Sequence, residues 1–376
     1  MPECNNPLWP CAMTGAAACL AGFRGVAVVI HGSSGCYYYP TTLLHAPLHG
    51  TFILENEVIF GSEDRLREVI GSLAGEKNRI AVITTCVPAI LGEDIKSMLA
   101  DHEVLLVDSP GFAGDVEAGY AKALSLIGPK TDPLAEGVNI DGICMLDPFF
   151  SGNLQEIRRL LDLASVPVAT VFCRDALKKA YCAAAYTIGT NGDYKSGIGE
   201  FLGGTLGGGP LQTTFKRLGD VVEESDIDPV LQEISLQEAE IIRICDKFLR
   251  RFDPPSVAIF AGASYAEFAA RALEQYLDAD IRIIGLRNTK SQSRYPSELV
   301  TGLKEAEILI RQHDPDLVLG SSFERSVSGN RAFFGITPPL RGRVRLAPVS
   351  LAGINGMLFF MEKVLNACMD NLPRLS

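Results

Sequence analysis

The stretch Ile83 to Ile95 reads ITTCVPAILGEDI. The residues before Cys86, Arg79 to Thr85, form the apolar, β-branched run of a buried parallel strand, and a helical segment follows Pro88. The thiol therefore belongs at the carboxyl edge of a strand, where open α/β sheets bind their ligands. Two further cysteines share this setting. Cys36 follows the strand-like VAVVIH through a glycine-rich turn, and Cys11 stands just before the small-residue helical stretch AMTGAAACLAG. Three thiols brought to one sheet edge can hold an iron-sulfur cluster, which takes thiolate ligands. The helix amino ends beside them would lower the thiol pKa values and offset the negative charge of a cluster. The gaps are long and no CxxC occurs, so by spacing alone each cysteine reads first as a packed core residue.

The neighbouring polar residues have plain readings. His31 can donate to a cluster sulfur or relay a proton, but a buried histidine that orders the turn is the simpler role. Glu93 and Asp94 read as acids complementing a helix amino end, and Tyr37, Tyr38 and Tyr39 as interface packing. Cys4 is a spare thiol near the terminus and Cys19 a packing residue. Cys144, Cys173, Cys182, Cys245 and Cys368 fall in strand or helix patterns where a small buried residue suffices.

The elements that must position these residues alternate between short β-branched runs and helical stretches, the pattern of parallel sheets covered on both faces. Strands are expected at Val26–His31, Arg79–Thr85, Val104–Val107, Gly142–Leu146, Val166–Phe172, Ser256–Phe260, Ile281–Gly285 and Asp316–Gly320. Helices are expected at Arg65–Leu73, Asp94–Ala100, Val116–Ile127, Leu154–Leu163, Leu231–Phe252, Tyr265–Leu277, Ser297–His313 and Ile354–Asn371. A chain of 376 residues exceeds one ordinary domain. The turn-rich Gly128–Gly137 and the glycine-rich Gly203–Pro210 mark its joints, the second as a linker or hinge. The division is 1–132, an N-terminal cluster-binding domain; 133–209, a middle α/β domain; and 210–376, a C-terminal domain.

Forty-five acidic against 34 basic residues give a net charge of −11, the wrong sign for attraction to nucleic acid or anionic membranes. No Lys or Arg precedes Arg24, and no apolar run reaches the length of a transmembrane helix. A cytoplasmic chain is expected. No GxxxxGK[ST] occurs, so any ATP is hydrolysed by another chain.

Four stretches together resemble the nitrogenase component 1 family: Cys-x-x-x-Gly-Ala from Cys11, HGSSGC from His31, ENEVIFGSEDRL from Glu55, and TTCVPAILGEDI from Thr84. That family includes dark-operative protochlorophyllide reductase and the nickel-sirohydrochlorin diamide reductive cyclase. Weaker similarity runs through Asp147–Leu161, Gly320–Ser328 and Leu351–Asn366. The resemblance implies three Rossmann-like domains with parallel sheets around a central cleft. It also implies an iron-sulfur cluster, 4Fe-4S or P-cluster-like 8Fe, bound by Cys11, Cys36 and Cys86 at a subunit interface. The partner subunit is then an identical copy or a paralogue, with a nitrogenase iron protein-like ATPase as electron donor. AAAYTIGTNGDYKSGIGEF supplies no cysteine and no histidine follows His313, so no iron-molybdenum cofactor is expected. The implied activity is an oxidoreductase component acting on a small molecule, a tetrapyrrole being one candidate. A non-catalytic scaffold for metallocofactor assembly is the alternative.

Overall fold

The computed structural model describes residues 8–44, 46–73, 79–288, 293–342 and 344–373. Cys4 lies outside them.

Continuous apolar runs make the central strands of the first sheet, β1 (Val26–His31) and β3 (Arg79–Thr84), because both of their faces are covered. With β2 (His49–Gly50) and β4 (Val104–Asp108) the order is β2-β1-β3-β4. The strands are parallel, and His31 stands opposite Thr84. On one face Ala27, Val29, Ile80 and Val82 pack on Leu66, Ile70 and Leu73 of the Glu63–Leu73 helix and on Ile95 and Leu99. The small-residue stretch after Cys11 becomes the Ala12–Gly22 helix, buried along nearly its whole length against the Val116–Ile127 helix. Its composition has a direct cause. A Cβ on Gly15 would stand 1.9 Å from the Val116 carbonyl oxygen, and one on Gly119 would stand 1.8 Å from that of Ala12.

The second sheet has the order β6-β5-β7-β8, with β5 (Val138–Asp141), β6 (Val168–Val171), β7 (Tyr186–Gly189) and β8 (Glu200–Gly204). The third runs β11-β10-β9-β12-β13, with β9 (Ser256–Ala261), β10 (Asp280–Leu286), β11 (Ser297–Leu299), β12 (Leu317–Gly320) and β13 (Ala332–Gly335). The architecture is α/β with three Rossmann-like parallel sheets. By compactness the chain falls into two units: Met1–Ala135 with Ile143–Leu146 and Thr170–Ala183, and Glu136–Gly142 with Asp147–Ala169 and Ala184–Ser376.

Several boundaries differ from the sequence reading. No residue of the strand expected at Gly142–Leu146 lies in a strand: the strand of that region is β5, which ends at Asp141 because Gly142 takes a φ of 79° and breaks the extended run. Ser297–Leu299 is a strand, and the helix begins only at Leu303 after the Gly302 cap. The glycine-rich Gly203–Pro210 is not a linker: it closes β8 and opens the Gly208–Val221 helix inside the second unit. No helix among the described residues is long and apolar enough to cross a membrane.

Candidate functional site

The parallel register of β1 and β3 carries both chains out of the sheet at the same level, with Thr85 N–H donating to the His31 carbonyl at 3.1 Å. Gly32 and Thr85 then lie in contact. A Cβ at Gly32 would fall 1.8 Å from Thr85 Oγ1, a buried hydroxyl on the Cys36 side of the turn. Beyond this pair each strand turns into a helix that begins with a thiol. Cys86 is the first residue of the Cys86–Leu91 helix, and Cys36 sits in the first turn of the Ser34–Leu44 helix. Cys11 is the N-cap of the Ala12–Gly22 helix, held by its bridge to Asp115 and by the Ala12 N–H on the Gly114 carbonyl at 3.1 Å.

Gly111 joins two of the three. Its N–H donates to Cys86 Sγ at 3.1 Å. A Cβ on it would stand 3.1 Å from Cys86 Sγ and 3.3 Å from Cys11 Sγ. Burial pushes the Cys36 thiol up from its ordinary value, the Ser33 hydroxyl opposes this by donating to the sulfur at 3.7 Å, and proximity to Cys86 and Cys11 raises it further. All three thiols are free and partly exposed. They are spread around the sheet edge: among the described residues no three His, Cys, Asp or Glu side chains converge on a single metal ion. The expectation that helix amino ends lower the thiol pKa values does not hold at Cys36, where burial dominates.

His31 is fully buried and orders the turn. Its Nδ1 lies 3.2 Å from Thr51 Oγ1, which also accepts the Gly32 N–H at 3.0 Å. Its Nε2 lies 3.3 Å from Glu93, whose carboxylate accepts from Ser62 Oγ at 2.7 and 2.9 Å. Burial lowers the His31 pKa, against the pull of Glu93. Glu93 is therefore a buried partner of histidine, whereas Asp94 is the helix cap expected, accepting from Ser97 N–H at 3.1 Å.

The remaining cysteines divide by burial. Cys19 and Cys173 are buried 3.5 Å apart, and burial pushes Cys245 to about 11 and Cys368 to about 12, values of inert packing thiols. Cys182 is exposed, against expectation, because it follows a short 3-10 turn rather than lying inside a strand or helix. Gly111 and Glu93 were missed as site residues. A signal for the first was present: SPGFAG directly follows the strand VLLVD.

In the second unit, the carboxyl edge of the second sheet opens on a cavity of about 320 Å³ lined by Asp141, Asn191, Asp193, Lys195, Phe201 and Arg271, among others. Neither cysteine nor histidine lines it. Beside it lie buried acids. Asp147 accepts from Tyr265 Oη at 2.5 Å and from Phe149 N–H at 2.9 Å, and Asp193 caps the Ala263–Leu277 helix through Ser264 N–H at 3.1 Å. Burial raises both carboxyls to about 6.

A family model described as "Nitrogenase component 1 type Oxidoreductase" matches residues 11–369. The chain belongs to this family. It is similar to the nitrogenase iron-molybdenum cofactor biosynthesis protein NifE of Clostridium pasteurianum, 22% identical over 85% of this chain and 79% of that one. The nitrogenase molybdenum-iron protein alpha chain of Methanothermobacter thermautotrophicus is 26% identical over 47% of this chain and 48% of its own. The corresponding beta chain of Bradyrhizobium diazoefficiens is 27% identical over 43% and 36%. The match to these two chains spans less than half of each. Among solved structures, nitrogenase Cp1 at pH 6.5 superposes with a TM-score of 0.82, 15% identity and coverage of 97% of this chain and 93% of that one. That likeness is one of fold. The family members thus include both nitrogenase chains and a cofactor-biosynthesis protein.

Proposed function

We propose that this nitrogenase component 1-like chain is the subunit of an anaerobic, cytoplasmic reductase that carries an iron-sulfur cluster on Cys11, Cys36 and Cys86 at a subunit interface. The observation that carries the reading is the placement of three partly exposed thiols, each at a helix amino end, with Cys86 and Cys11 meeting at the bare Cα of Gly111. The donor set fits a cluster, whose thiolates bind different irons and so need not converge on one ion. The cluster would supply low-potential electron transfer. The chain's own residues hold the thiols apart, supply the Gly111 N–H to one sulfur and fix the turn through His31, Thr51 and Glu93.

Three thiols leave a four-thiolate cluster incomplete, so a partner contributes ligands. The surface beside them supports this. Tyr38 and Tyr39 on the Cys36 helix and Ile90 and Leu91 on the Cys86 helix are exposed, as are Ile59 and Phe60 on the Glu55–Phe60 helix that packs against the latter. Exposed apolar groups gathered around a site mark an interface. A second copy or a paralogue covers it, and an ATPase of the iron protein type delivers the electrons to a small-molecule substrate, a tetrapyrrole being one class. The chain is divided, on this reading, into Rossmann-like domains at 1–132, 133–209 and 210–376.

A second reading has its own support. One relative matched over most of both chains is named as a biosynthesis protein, which supports a scaffold that builds or hands on a metallocofactor. Combining the iron-loaded chain with its ATPase, ATP and candidate reducible substrates separates the two. Repeated turnover is expected of a reductase. Transfer of a bound cofactor to another protein, with no turnover, selects the scaffold instead.

A further inference from the structure

A pair of thiols outside the candidate site stands close enough to react with itself. Cys19, in the last turn of the Ala12–Gly22 helix, and Cys173, in the turn after β6, are fully buried with their sulfurs 3.5 Å apart. Neither is in a disulfide. Both belong to the first unit, and because 154 positions separate them in the chain, only the fold brings them together.

Cys173 is held in an unusual backbone conformation. Its φ of 56° is left-handed, which a residue with a side chain keeps only where its surroundings enforce it. Asp175 closes the turn: its N–H donates to the Val171 carbonyl at 3.1 Å, and its carboxylate accepts from Val171 N–H at 3.0 Å. The helix presses on the turn from the other side, where a Cβ on Gly22 would fall 2.1 Å from the Cys173 carbonyl oxygen and 3.2 Å from Cys173 Cβ. Gly22 stands one turn beyond Cys19 on the same helix face, so its bare Cα lets the helix approach until the two sulfurs meet. Tyr120 of the Val116–Ile127 helix completes the setting, its Oη 2.9 Å from Cys173 Sγ and 2.9 Å from the Ile143 carbonyl oxygen. A phenol carries one proton, and when it donates to the carbonyl its oxygen can accept the thiol proton of Cys173. Packing alone would not call for this arrangement. Glycine at 173 would take the same backbone without strain, and a small apolar residue at 19 would fill the same space.

We infer that Cys19 and Cys173 are a redox-active dithiol, converted by a small disulfide such as oxidised glutathione to a reversible intrachain disulfide. One cysteine thiolate displaces a glutathione thiolate to give a mixed disulfide, and the other then displaces the second. One S–S bond forms for the one broken, the pair is oxidised by two electrons, and its two protons leave on the two glutathione thiols released. The new bond pins the helix that begins at Cys11 to the turn after β6. In compartments that keep thiols reduced, such disulfides are transient and sense oxidant. The pair needs no cluster, no partner subunit and no electron donor.

To test this, the full chain is equilibrated in glutathione buffers from fully reduced to mostly oxidised, and the remaining thiols are alkylated and mapped by mass spectrometry. Both sulfurs are buried, so equilibrium is approached from the native chain and from the chain refolded in the same buffer. A linked peptide pair containing Cys19 and Cys173 is expected from both directions, and it should disappear when reduced glutathione is restored. The oxidised chain should unfold at a higher urea concentration than the reduced one, since a bond between residues so distant in sequence restricts the unfolded chain. Cys19→Ala and Cys173→Gly remove one sulfur each, the second without disturbing the left-handed backbone, and in both the difference between oxidised and reduced midpoints should vanish. The map also reports Cys11, Cys36, Cys86 and Cys182, which are less buried, so bonds among them are told apart from this one. No Cys19–Cys173 link at any glutathione ratio, a link found only in denatured chain, or an oxidised chain that unfolds at lower urea than the reduced one would each overturn the inference.

Discussion

At Gly111 the absence of a side chain is itself a structural requirement, because an added carbon would crowd Cys86 Sγ and Cys11 Sγ together. Gly111→Ala is therefore expected to lower the iron content of anaerobically purified protein while changing stability by less than about 0.5 kcal/mol, as for most partly exposed substitutions. Gly35→Ala, where the added carbon meets open space in the turn beside Cys36, should leave iron unchanged. Equal iron in the two variants would show that Gly111 cradles nothing. The sheet-edge placement of Cys36 and Cys86 was legible because an apolar strand run precedes each. Gly111 was not, since a glycine after a strand is ordinary in any α/β chain and only the fold shows which sulfurs it faces. Glu93 misled for a similar reason. Its position before a helix fits a dipole complement, and only the His31–Thr84 register brings it to the buried imidazole.

Contact between elements accounts for how the site is held. The Ala12–Gly22 and Val116–Ile127 helices touch backbone to backbone at Gly15 and Gly119, and this packing sets Cys11 beside Gly111. Gly119→Ala should push the pair apart at a cost of about 1–3 kcal/mol and lower iron together with the unfolding midpoint. A lower midpoint with full iron would uncouple the two. In the second unit, Asp147 ties the Phe149 backbone to Tyr265 of the Ala263–Leu277 helix while buried, and its carboxyl is raised to about 6, as is that of Asp193. The native state therefore holds protons that the unfolded chain, with carboxyls near 3.8, has released. These groups contribute stability at pH 4 and below that is lost as pH rises through about 6, up to about 3 kcal/mol for one such carboxyl. Urea unfolding at pH 4.5 and pH 7 should show a smaller loss in Asp147→Asn than in the parent; parallel losses would place the titration elsewhere. Strand existence was read well where runs were apolar and buried on both faces, as in β1, β3, β9 and β12. Short β2, β7, β8 and β13 escaped because two to five residues, such as HG or EFLGG, carry no period of their own and are strands only by pairing.

On the scale of the whole molecule, family membership and fold are shown by the match over residues 11–369 and by the likeness to nitrogenase Cp1, and the cluster, its partner and its substrate are what the site proposes. If the thiols meet a partner's across the exposed apolar surface, the iron-loaded chain sediments as a dimer or needs a paralogue. Phe60→Asp, at a side chain 87% exposed, then weakens that assembly without unfolding the chain. A monomer retaining its full complement of iron would contradict an interfacial cluster. The partner was not legible, because a single chain shows which surface is apolar but not what covers it. The most direct measurement is iron and acid-labile sulfide per chain in anaerobically purified protein and in the Cys11→Ala, Cys36→Ala and Cys86→Ala variants, with Cys182→Ala as the exposed control. Ligation by the three thiols predicts that both quantities fall in each of the three variants and hold in the control; undiminished iron in all three would remove the cluster from this site.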